Sequence, residues 1–446
     1  MLDHRMKILD LADPNLPRLM LRLGLPAMAG LSLNAAHQVV DAGFVGRLGA
    51  EPLAVLTLLA PFAGLIAALG VGLGVGAAST SARALGASDP ERARRIAGLA
   101  FCVAGVLAVA LWCLLQILRA PVLDLLGTPE GSLAPARAYY PLLTLTMSFG
   151  LIQILCDFLA IGRGHAAMSL KTLALCFGLN MALDPLFIFG LDLGLNGAAW
   201  ATLTAQIVTL SVWAVWFRAP ARRPKPGTLS LLAPMLRVGL PEAAALAVTT
   251  FGLMALLRLA ADLGGVAAVA GLGLALRLVF VVTLPLEGFA IGVQPVLAHA
   301  FGAGISRRAA DAQRLLLRGA LGVGAALGIV LWLGAVPVSR VLSVDTDVQA
   351  HCVAALGWLA LCVPAVALRL VAQIGLQAAI RPRAALLLGL APMGWLFWPL
   401  LALMVPPFGL SALPVSMALA ACLSALLALM LMRQGRLSAT TSGVSA

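Results

Sequence analysis

Apolar stretches separated by short polar breaks run through the chain from Pro17 to Arg433. A transmembrane helix needs about 20 mostly apolar residues, and division at turn residues and charge clusters gives twelve segments of at least that length. The segments are residues 18–46, 52–84, 92–126, 131–162, 165–190, 194–218, 229–262, 266–303, 308–343, 347–380, 383–405 and 409–433. The pattern predicts an all-α membrane protein with twelve transmembrane helices.

Two halves of six helices are indicated by motifs that recur in the same order. Gly24-Leu25-Pro26 matches Gly239-Leu240-Pro241 at an offset of 215 residues, Leu85-Gly86-Ala87 matches Phe301-Gly302-Ala303 at 216, and Gly194-Leu195 matches Gly409-Leu410 at 215. A parallel repeat of this kind predicts two pseudo-symmetric lobes that face each other. We predict a cytoplasmic N-terminal tail (1–17), an N lobe (18–218), a cytoplasmic linker (219–228), a C lobe (229–436) and a C-terminal tail (437–446).

The composition indicates that lipid surrounds most of the chain, because 61% of the 446 residues are hydrophobic and only 11% are charged. The net charge of +12 does not indicate nucleic acid binding, since the basic residues are spread over short breaks between apolar helices. If both termini are cytoplasmic, most of the 30 Lys and Arg residues face the cytoplasm, and only Arg47, Arg119, Arg137 and Arg340 face the other side. We therefore expect a multi-pass protein of the bacterial inner membrane with cytoplasmic termini and no obligate protein partner.

Polar residues inside the first span form one candidate site. Asn34, His37 and Asp41 are spaced i, i+3 and i+7, so they lie on one face of that helix. A charged residue near the bilayer centre costs roughly 2.5 to 3.5 kcal/mol on insertion scales, and it therefore needs a partner, a wet cavity or a function.

A second set of polar residues can join the first. Asn180 and Asp184 are spaced i, i+4 on the fifth span, and Thr202 on the sixth span can add a hydroxyl oxygen. With Asp41 they form a cluster that can hold a proton or a dehydrated sodium ion. Because a poorly hydrated cavity disfavours the charged carboxylate, protonation can act as a switch. Pro26 gives the first helix a place to bend as that charge is lost.

Other polar residues inside the spans are weaker candidates. Gln153 and Asp157 repeat the i, i+4 spacing on the fourth span, and with Asn34 and His37 they are candidates for lining the substrate cleft. The C lobe has no strict counterpart of the acidic cluster. Its polar candidates are Glu287, Arg258, Arg277 and Arg369. Glu287 with one of these arginines is expected to form a buried ion pair that is structural or gates the cleft.

The sequence argues against an ATP-driven pump and against an enzyme. None of the lysines follows a glycine, so there is no phosphate-binding loop of the GxxxxGK[ST] type. The seven cysteines and five histidines lack metal-binding spacing, so we expect no resident metal, no cofactor other than a coupling ion, and no catalytic activity. A carrier driven by an ion gradient remains, and a flippase for lipid-linked precursors is the alternative. Such a flippase should have a cationic cavity, whereas acids dominate the first lobe.

Long ordered motifs occur in both halves of the chain. They read VDAGFVGRLG at 40–49, STSARALGA at 79–87, NMALDPLFIFG at 180–190 and GLNGAAWAT at 194–202 in the first half, and GVQP at 292–295 with FGA at 301–303 in the second. On these motifs the chain resembles the multidrug and toxic compound extrusion (MATE) transporters along essentially its whole length, and most closely their DinF-like branch.

The resemblance implies two six-helix bundles around a V-shaped cleft. It also implies a role for Asp41, Asn180, Asp184 and Thr202 in proton or cation coupling and in drug release. Another branch of the family has an acidic residue in the middle of the seventh helix, where this chain reads AVTTFGLM, so we expect no sodium site in the C lobe. We predict a secondary antiporter that exports organic, cationic compounds in exchange for protons, with sodium as the alternative coupling ion.

Overall fold

The regular elements of the protein are helices, as seen in a computed structural model that describes residues 11–48, 50–125, 130–342 and 345–441. The predicted all-α class is confirmed. The helices are α1 (Leu16–Gly46), α2 (Ala50–Gly86), α3 (Pro90–Ile117), α4 (Arg119–Leu125), α5 (Glu130–Gly162), α6 (Ala166–Pro185), α7 (Gly194–Phe217), α8 (Leu232–Gly302), α9 (Ser306–Leu342), α10 (Thr346–Leu359), α11 (Val363–Ala378), α12 (Pro382–Leu390), α13 (Phe397–Phe408) and α14 (Ala412–Thr441). Residues 1–10 of the predicted N-terminal tail and 442–446 of the C-terminal tail lie outside the described residues.

Eleven helical segments in the described ranges are long and apolar enough to cross a membrane. Two of them, Leu229–Gly265 and Ala267–Gly302, are formed by the longest helix, α8, and the short helical turn Leu229–Leu231 before it, and they agree with the two separate spans predicted there. They are divided at Gly265, whose φ of +67° lies in the left-handed region that glycine adopts at little cost. The chain is therefore a multi-pass membrane protein.

One predicted span is divided in the structure. The segment predicted at 383–405 forms α12 and α13, with turns over 391–396 between them. Pro392 lacks the backbone N–H that a continuous helix needs, and Gly394 weakens a helix further. Counted as one broken span, this segment completes the twelve-helix fold.

Residues with a left-handed backbone conformation recur at equivalent positions in the two halves. The left-handed residues Ser88 and Gly304 follow equivalent helices, and so do Gly164 and Ile380 and also Gly194 and Gly409. Members of these three pairs are 216, 216 and 215 residues apart, which are the offsets found in the sequence motifs. Each pair marks the same turn in the two halves, so the halves share their chain path as well as their motifs.

The two halves meet where α1 and α2 pack on α8. Glycines allow a close approach there, since an added Cβ on Gly239 would overlap the Gly72 carbonyl, and one on Gly86 would overlap the His299 carbonyl. An added Cβ on Gly288 would lie 2.7 Å from the Met28 Cα atom. We call these contacts between α1 or α2 and α8 the interlobe seam.

The interlobe seam extends to the end of the bundle that carries many arginines, which we call the basic end. A buried apolar cluster there combines Leu19 and Leu23 of α1 with Val293 and Leu297 of α8. Across the same interface, the Arg83 guanidinium donates a hydrogen bond of 3.1 Å to the Ala378 carbonyl at the end of α11. The basic end is therefore closed by both apolar packing and polar contacts.

The predicted linker is attached to the N lobe. The Arg94 guanidinium donates to the Pro220 carbonyl at 2.7 Å, and the backbone N–H of Lys225 donates to the Arg94 carbonyl at 3.1 Å. Arg163 donates to the Arg222 carbonyl at 3.0 Å, and the Lys225 ammonium pairs with Glu91 at 2.7 Å. These contacts hold residues 219–228 against α3 rather than leaving them as a free connection.

Candidate functional site

The polar face predicted on α1 reaches α6 through His37. The His37 Nε2 atom lies 2.5 Å from Asn180 Oδ1, and the His37 ring stacks on Phe177 with centroids 4.6 Å apart. Because the Asn180 amide nitrogen is used in other hydrogen bonds, we assign His37 as the donor, with its proton on Nε2. This bond joins residues 143 positions apart in the chain.

Asn180 links three side chains of the predicted site. Its amide nitrogen donates to Asp184 Oδ1 and to Thr202 Oγ1, both at 3.2 Å. The Thr202 hydroxyl donates in turn to the Ala198 carbonyl, one turn earlier in α7, at 2.9 Å. Asn180 and Asp184 are 1% and 0% exposed, so these bonds are shielded from solvent.

Asp41 completes the arrangement from the C-terminal half of α1. Its carboxylate and that of Asp184 interact electrostatically with each other. Asp41 Oδ1 and Asp184 Oδ2 are shielded from solvent and have no hydrogen-bond partner among the described residues. A buried acceptor without a partner is costly, so each of these oxygens is a natural place for a proton or a cation. We call His37, Asp41, Asn180, Asp184 and Thr202 the N-lobe cluster.

Tyr139 is a neighbour of the N-lobe cluster that sequence reasoning missed. It is buried on α5 and interacts electrostatically with both Asp41 and Asp184. The available signal was its rarity, since the chain has only two tyrosines and this one lies inside a predicted span. A buried phenol usually finds a polar partner for its hydroxyl group, which points to a polar site nearby.

Pro26 and Asn34 lie on α1 before the N-lobe cluster. Helix α1 runs without interruption from Leu16 to Gly46, so it passes through Pro26 as a helix in this conformation. Asn34 is half-buried on the turn that precedes His37. Bending at Pro26 and substrate contact by Asn34 stay predictions.

Gln153 and Asp157 form a separate network inside the N lobe. The Ser169 and Thr172 hydroxyls donate to Asp157 Oδ1 at 2.8 and 3.4 Å, and the Cys176 thiol donates to Gln153 Oε1 at 3.6 Å. Gln153 and Asp157 are 6% and 7% exposed. Because their hydrogen bonds go to residues of α6, the two side chains lie between α5 and α6. Their predicted place in the substrate cleft stays a prediction.

The C-lobe arginines differ in their surroundings. The Arg258 and Arg277 side chains are exposed on α8, and Arg258 forms an ion pair of 3.7 Å with Asp262. Arg369 on α11 is the arginine that interacts electrostatically with Glu287. Of the three arginines considered as partners for Glu287, Arg369 is thus the one that the structure places beside it.

Further polar residues surround Glu287 and Arg369. The Gln377 amide nitrogen donates to Glu242 Oε2 at 2.5 Å, and the Gln294 amide nitrogen donates to Gln377 Oε1 at 2.8 Å. Glu242 also interacts electrostatically with Glu287 and Arg369. We call Glu242, Glu287, Gln294, Arg369 and Gln377 the C-lobe network. Sequence reasoning missed Glu242, although it directly follows Pro241, the repeat counterpart of Pro26.

A family model named MatE matches the chain twice, over residues 26–186 and 241–399. The two matches cover more than half of the chain. The chain belongs to the MatE family. The matched regions begin 215 residues apart, at the offset found between the two halves, so each half of this MatE protein carries one copy of the family unit.

Curated relatives of this MatE protein include named exporters. The multidrug export protein MepA of Staphylococcus aureus (strain MSSA476) is 26% identical over 298 residues, which is 65% of each chain. The match thus spans somewhat less than two thirds of that relative's length. A probable multidrug resistance protein of Bacillus subtilis, YoeA, is 26% identical over 306 residues, or 66% of each chain. A FAD transporter of Shewanella oneidensis is 26% identical over 350 residues, 74% of this chain and 75% of the relative.

Solved structures share the fold of this MatE protein. A MATE protein in a bent conformation superposes with a TM-score of 0.91 at 24% identity, over 99% of this chain and 100% of that one. The Vibrio cholerae MATE transporter VcmN in its bent form gives 0.88 at 23% identity, over 94% and 96% of the chains. A MOP superfamily transporter from Pyrococcus furiosus, described as having a binding pocket of reverse polarity, gives 0.90 at 23% identity, over 98% and 99%.

We expect Gln377→Leu to lower the melting temperature of the detergent-solubilised MatE protein by several degrees. The change removes the donor to Glu242 and the acceptor of Gln294, and a buried polar group that loses its partner costs about 1–3 kcal/mol. Gln313→Leu is the control, because the Gln313 amide bonds only weakly to the Met432 sulfur, at 3.5 Å. Equal melting temperatures for the two variants would contradict a structural role for the C-lobe network.

Proposed function

We propose that this protein is a secondary antiporter of the inner membrane, which exports organic, cationic compounds by alternating access in exchange for protons. The observation that carries the proposal is the convergence of Asp41 and Asp184 in the N-lobe cluster, each with a shielded oxygen that lacks a hydrogen-bond partner among the described residues. Membership of the MatE family and the names of the MepA and YoeA relatives support export of varied small molecules.

The N-lobe cluster can couple two opposite fluxes through its charge. When Asp41 and Asp184 are ionised, the cluster attracts a cationic substrate from the cytoplasm or inner leaflet. When they take up protons from outside, that attraction is lost and the substrate is released. Pro26 offers α1 a place to bend as the charge changes. The closed interlobe seam at the basic end corresponds to a cleft that opens on the opposite side, and the arginine-rich end faces the cytoplasm with both termini.

Sodium is the alternative coupling ion. Asp41, Asn180, Asp184 and Thr202 offer carboxylate, amide and hydroxyl oxygens, the ligand type that hard cations bind. The same cluster would serve in that case, and only the ion that neutralises it would differ.

An anionic substrate is the second candidate, because one relative is named a FAD transporter. A pyrophosphate-containing compound would need positive charge in the cleft. The exposed Arg258 and Arg277 side chains on α8 are cations that could meet this need in the C lobe. The same requirement applies to a flippase for lipid-linked precursors.

The test is uptake of a fluorescent cationic dye into inverted proteoliposomes that contain the full-length protein. A pH gradient with an acidic lumen, a sodium gradient, and FAD in place of the dye are compared. Dye uptake driven by the pH gradient alone supports the proposal. Uptake driven only by sodium would overturn proton coupling, uptake of FAD without any dye would overturn the cationic substrate, and no gradient-driven uptake of either would favour the flippase.

A further inference from the structure

A row of buried polar residues runs along one face of α6 from the N-lobe cluster towards the basic end. Its buried polar residues are Asp184, Asn180, Cys176, Thr172 and Ser169, spaced three or four residues apart. This spacing places them on one side of the helix. At 1.5 Å of rise per residue, the face extends over about 22 Å.

Helix α5 supplies partners for the far part of this face. Asp157 accepts the Ser169 and Thr172 hydroxyls at 2.8 and 3.4 Å, and Gln153 accepts the Cys176 thiol at 3.6 Å. Polar groups are therefore stacked inside the N lobe from the N-lobe cluster to the first turn of α6. We call Asp184, Asn180, Cys176, Gln153, Thr172, Asp157 and Ser169 the polar track.

The acidity of Asp157 is not needed for its hydrogen bonds. Both hydroxyls donate to the same oxygen, Oδ1, and the amide oxygen of an asparagine has the two lone pairs needed to accept both. An ionisable residue inside a membrane span costs roughly 2.5 to 3.5 kcal/mol. The ion pairs found among the described residues do not include Asp157. The thiols of Cys156 and Cys176 interact electrostatically with Asp157, and neither offsets a negative charge.

We propose that Asp157 is a proton-carrying residue that connects the N-lobe cluster with the basic end of the N lobe. The proposal rests on the proton coupling proposed above. A proton that leaves the Asp184 carboxyl is passed along the polar track, where the Cys176 thiol and the Thr172 hydroxyl each take up one proton and release another, and it then binds the Asp157 carboxylate. Asp157 gives the proton to water at the basic end and returns to its anionic form. The O–H bond broken at Asp184 is balanced by an O–H bond formed on water, and the S–H bond of Cys176 and the O–H bond of Thr172 are broken and re-formed. The exit is short, because Ser169 is the fourth residue of α6.

The proton route through Asp157 lies within the N lobe and does not depend on contacts between the lobes. Its loss should therefore affect one mode of transport and spare another. Net uptake driven by a pH gradient requires a proton to leave the N-lobe cluster in every cycle, and that step uses Asp157. Exchange of internal for external dye requires the lobes to reorient with substrate bound but moves no net proton. A residue that only stabilises the N lobe would affect both modes alike.

The experiment compares both modes in proteoliposomes for the wild type, Asp157→Asn and Asp157→Glu. Asp157→Asn is expected to reduce net pH-driven dye uptake about a hundredfold, the lower end of what a positioned proton-transferring group contributes. Dye exchange should be retained in Asp157→Asn, which would not be the case if Asp157 bound the dye in the substrate cleft, and Asp157→Glu should recover most of the net uptake. Ser169→Ala should also slow net uptake, whereas its control Ser148→Ala should not, because the buried Ser148 hydroxyl donates to the Thr144 carbonyl of its own helix, at 3.0 Å.

The outcomes distinguish this inference from the proposed function. A wild type without pH-driven uptake would overturn proton-coupled transport, and the role of Asp157 would fall with it. A wild type with normal uptake and an Asp157→Asn variant equal to it would overturn the proton-carrying role alone. Loss of both modes in Asp157→Asn would also overturn that role and would make Asp157 a structural residue.

Discussion

Asp41→Asn should reduce pH-driven dye uptake to the level of empty vesicles while leaving membrane insertion intact. Asparagine has nearly the same shape as aspartate but cannot bind and release a proton. In the protein, Asp41 Oδ1 is shielded and unpaired and the carboxylate interacts with Asp184, so the substitution removes the charge change without opening a cavity. Insertion is measured as the amount of folded protein recovered in detergent, and coupling as dye uptake into inverted proteoliposomes.

The control for this variant is Asp262→Asn. Asp262 is exposed on α8 and pairs with Arg258 at 3.7 Å, and exposed ion pairs contribute little to stability. Its uptake should equal that of the wild type. Normal coupled uptake by Asp41→Asn would remove Asp41 from the mechanism. Asp184→Asn should cause the same loss, and the double variant should be no worse, because the two carboxylates act in one cluster.

The second large effect is expected from Gly239→Val at the interlobe seam. A Cβ on Gly239 would overlap the Gly72 carbonyl, so a valine there opposes closure of the seam. Overpacking costs typically about 1–3 kcal/mol, which lowers the population of the closed seam roughly 5- to 150-fold if the open state is unaffected. Net uptake and dye exchange should both fall by such a factor, because both need the lobes to reorient.

Gly322→Val serves as the matched control for Gly239→Val. Gly322 is also a helical glycine, on α9, but a Cβ added there would meet nothing within 4 Å. Both variants are recovered and assayed in the same lipid. Normal dye exchange by Gly239→Val would show that closure of the seam is not part of the transport cycle.

Much of this architecture could be predicted from the sequence because its signals are local. The length of each apolar stretch fixes a span, and the 215-residue offset between short motifs reappears in the paired left-handed turns. The N-lobe cluster was predictable for the same reason, since i, i+3 and i+4 spacing decides which residues share a helix face. The polar faces of α1, α6 and α7 could then be assigned to one site, because polar residues inside a membrane span need polar partners.

The partners within the C lobe were not predictable in this way. Glu242, Gln294 and Gln377 lie on different helices, and their hydrogen bonds depend on rotations and crossing angles that the sequence pattern does not encode. The hydrogen-bond partners of Asp157 were unpredictable for the same reason. Its spacing from Gln153 gave the correct helix face, but only packing shows that this face meets Ser169 and Thr172 of α6.

The left-handed turns also show which part of the chain determines its path. Glycine holds this conformation at 164 and 304, whereas isoleucine and serine hold it at the equivalent positions 380 and 88. A branched residue such as Ile380 pays roughly 1–3 kcal/mol for a left-handed backbone. The two halves therefore keep the same turn with different residues, and the helices on either side, rather than a glycine in the turn, fix the path of the chain at position 380.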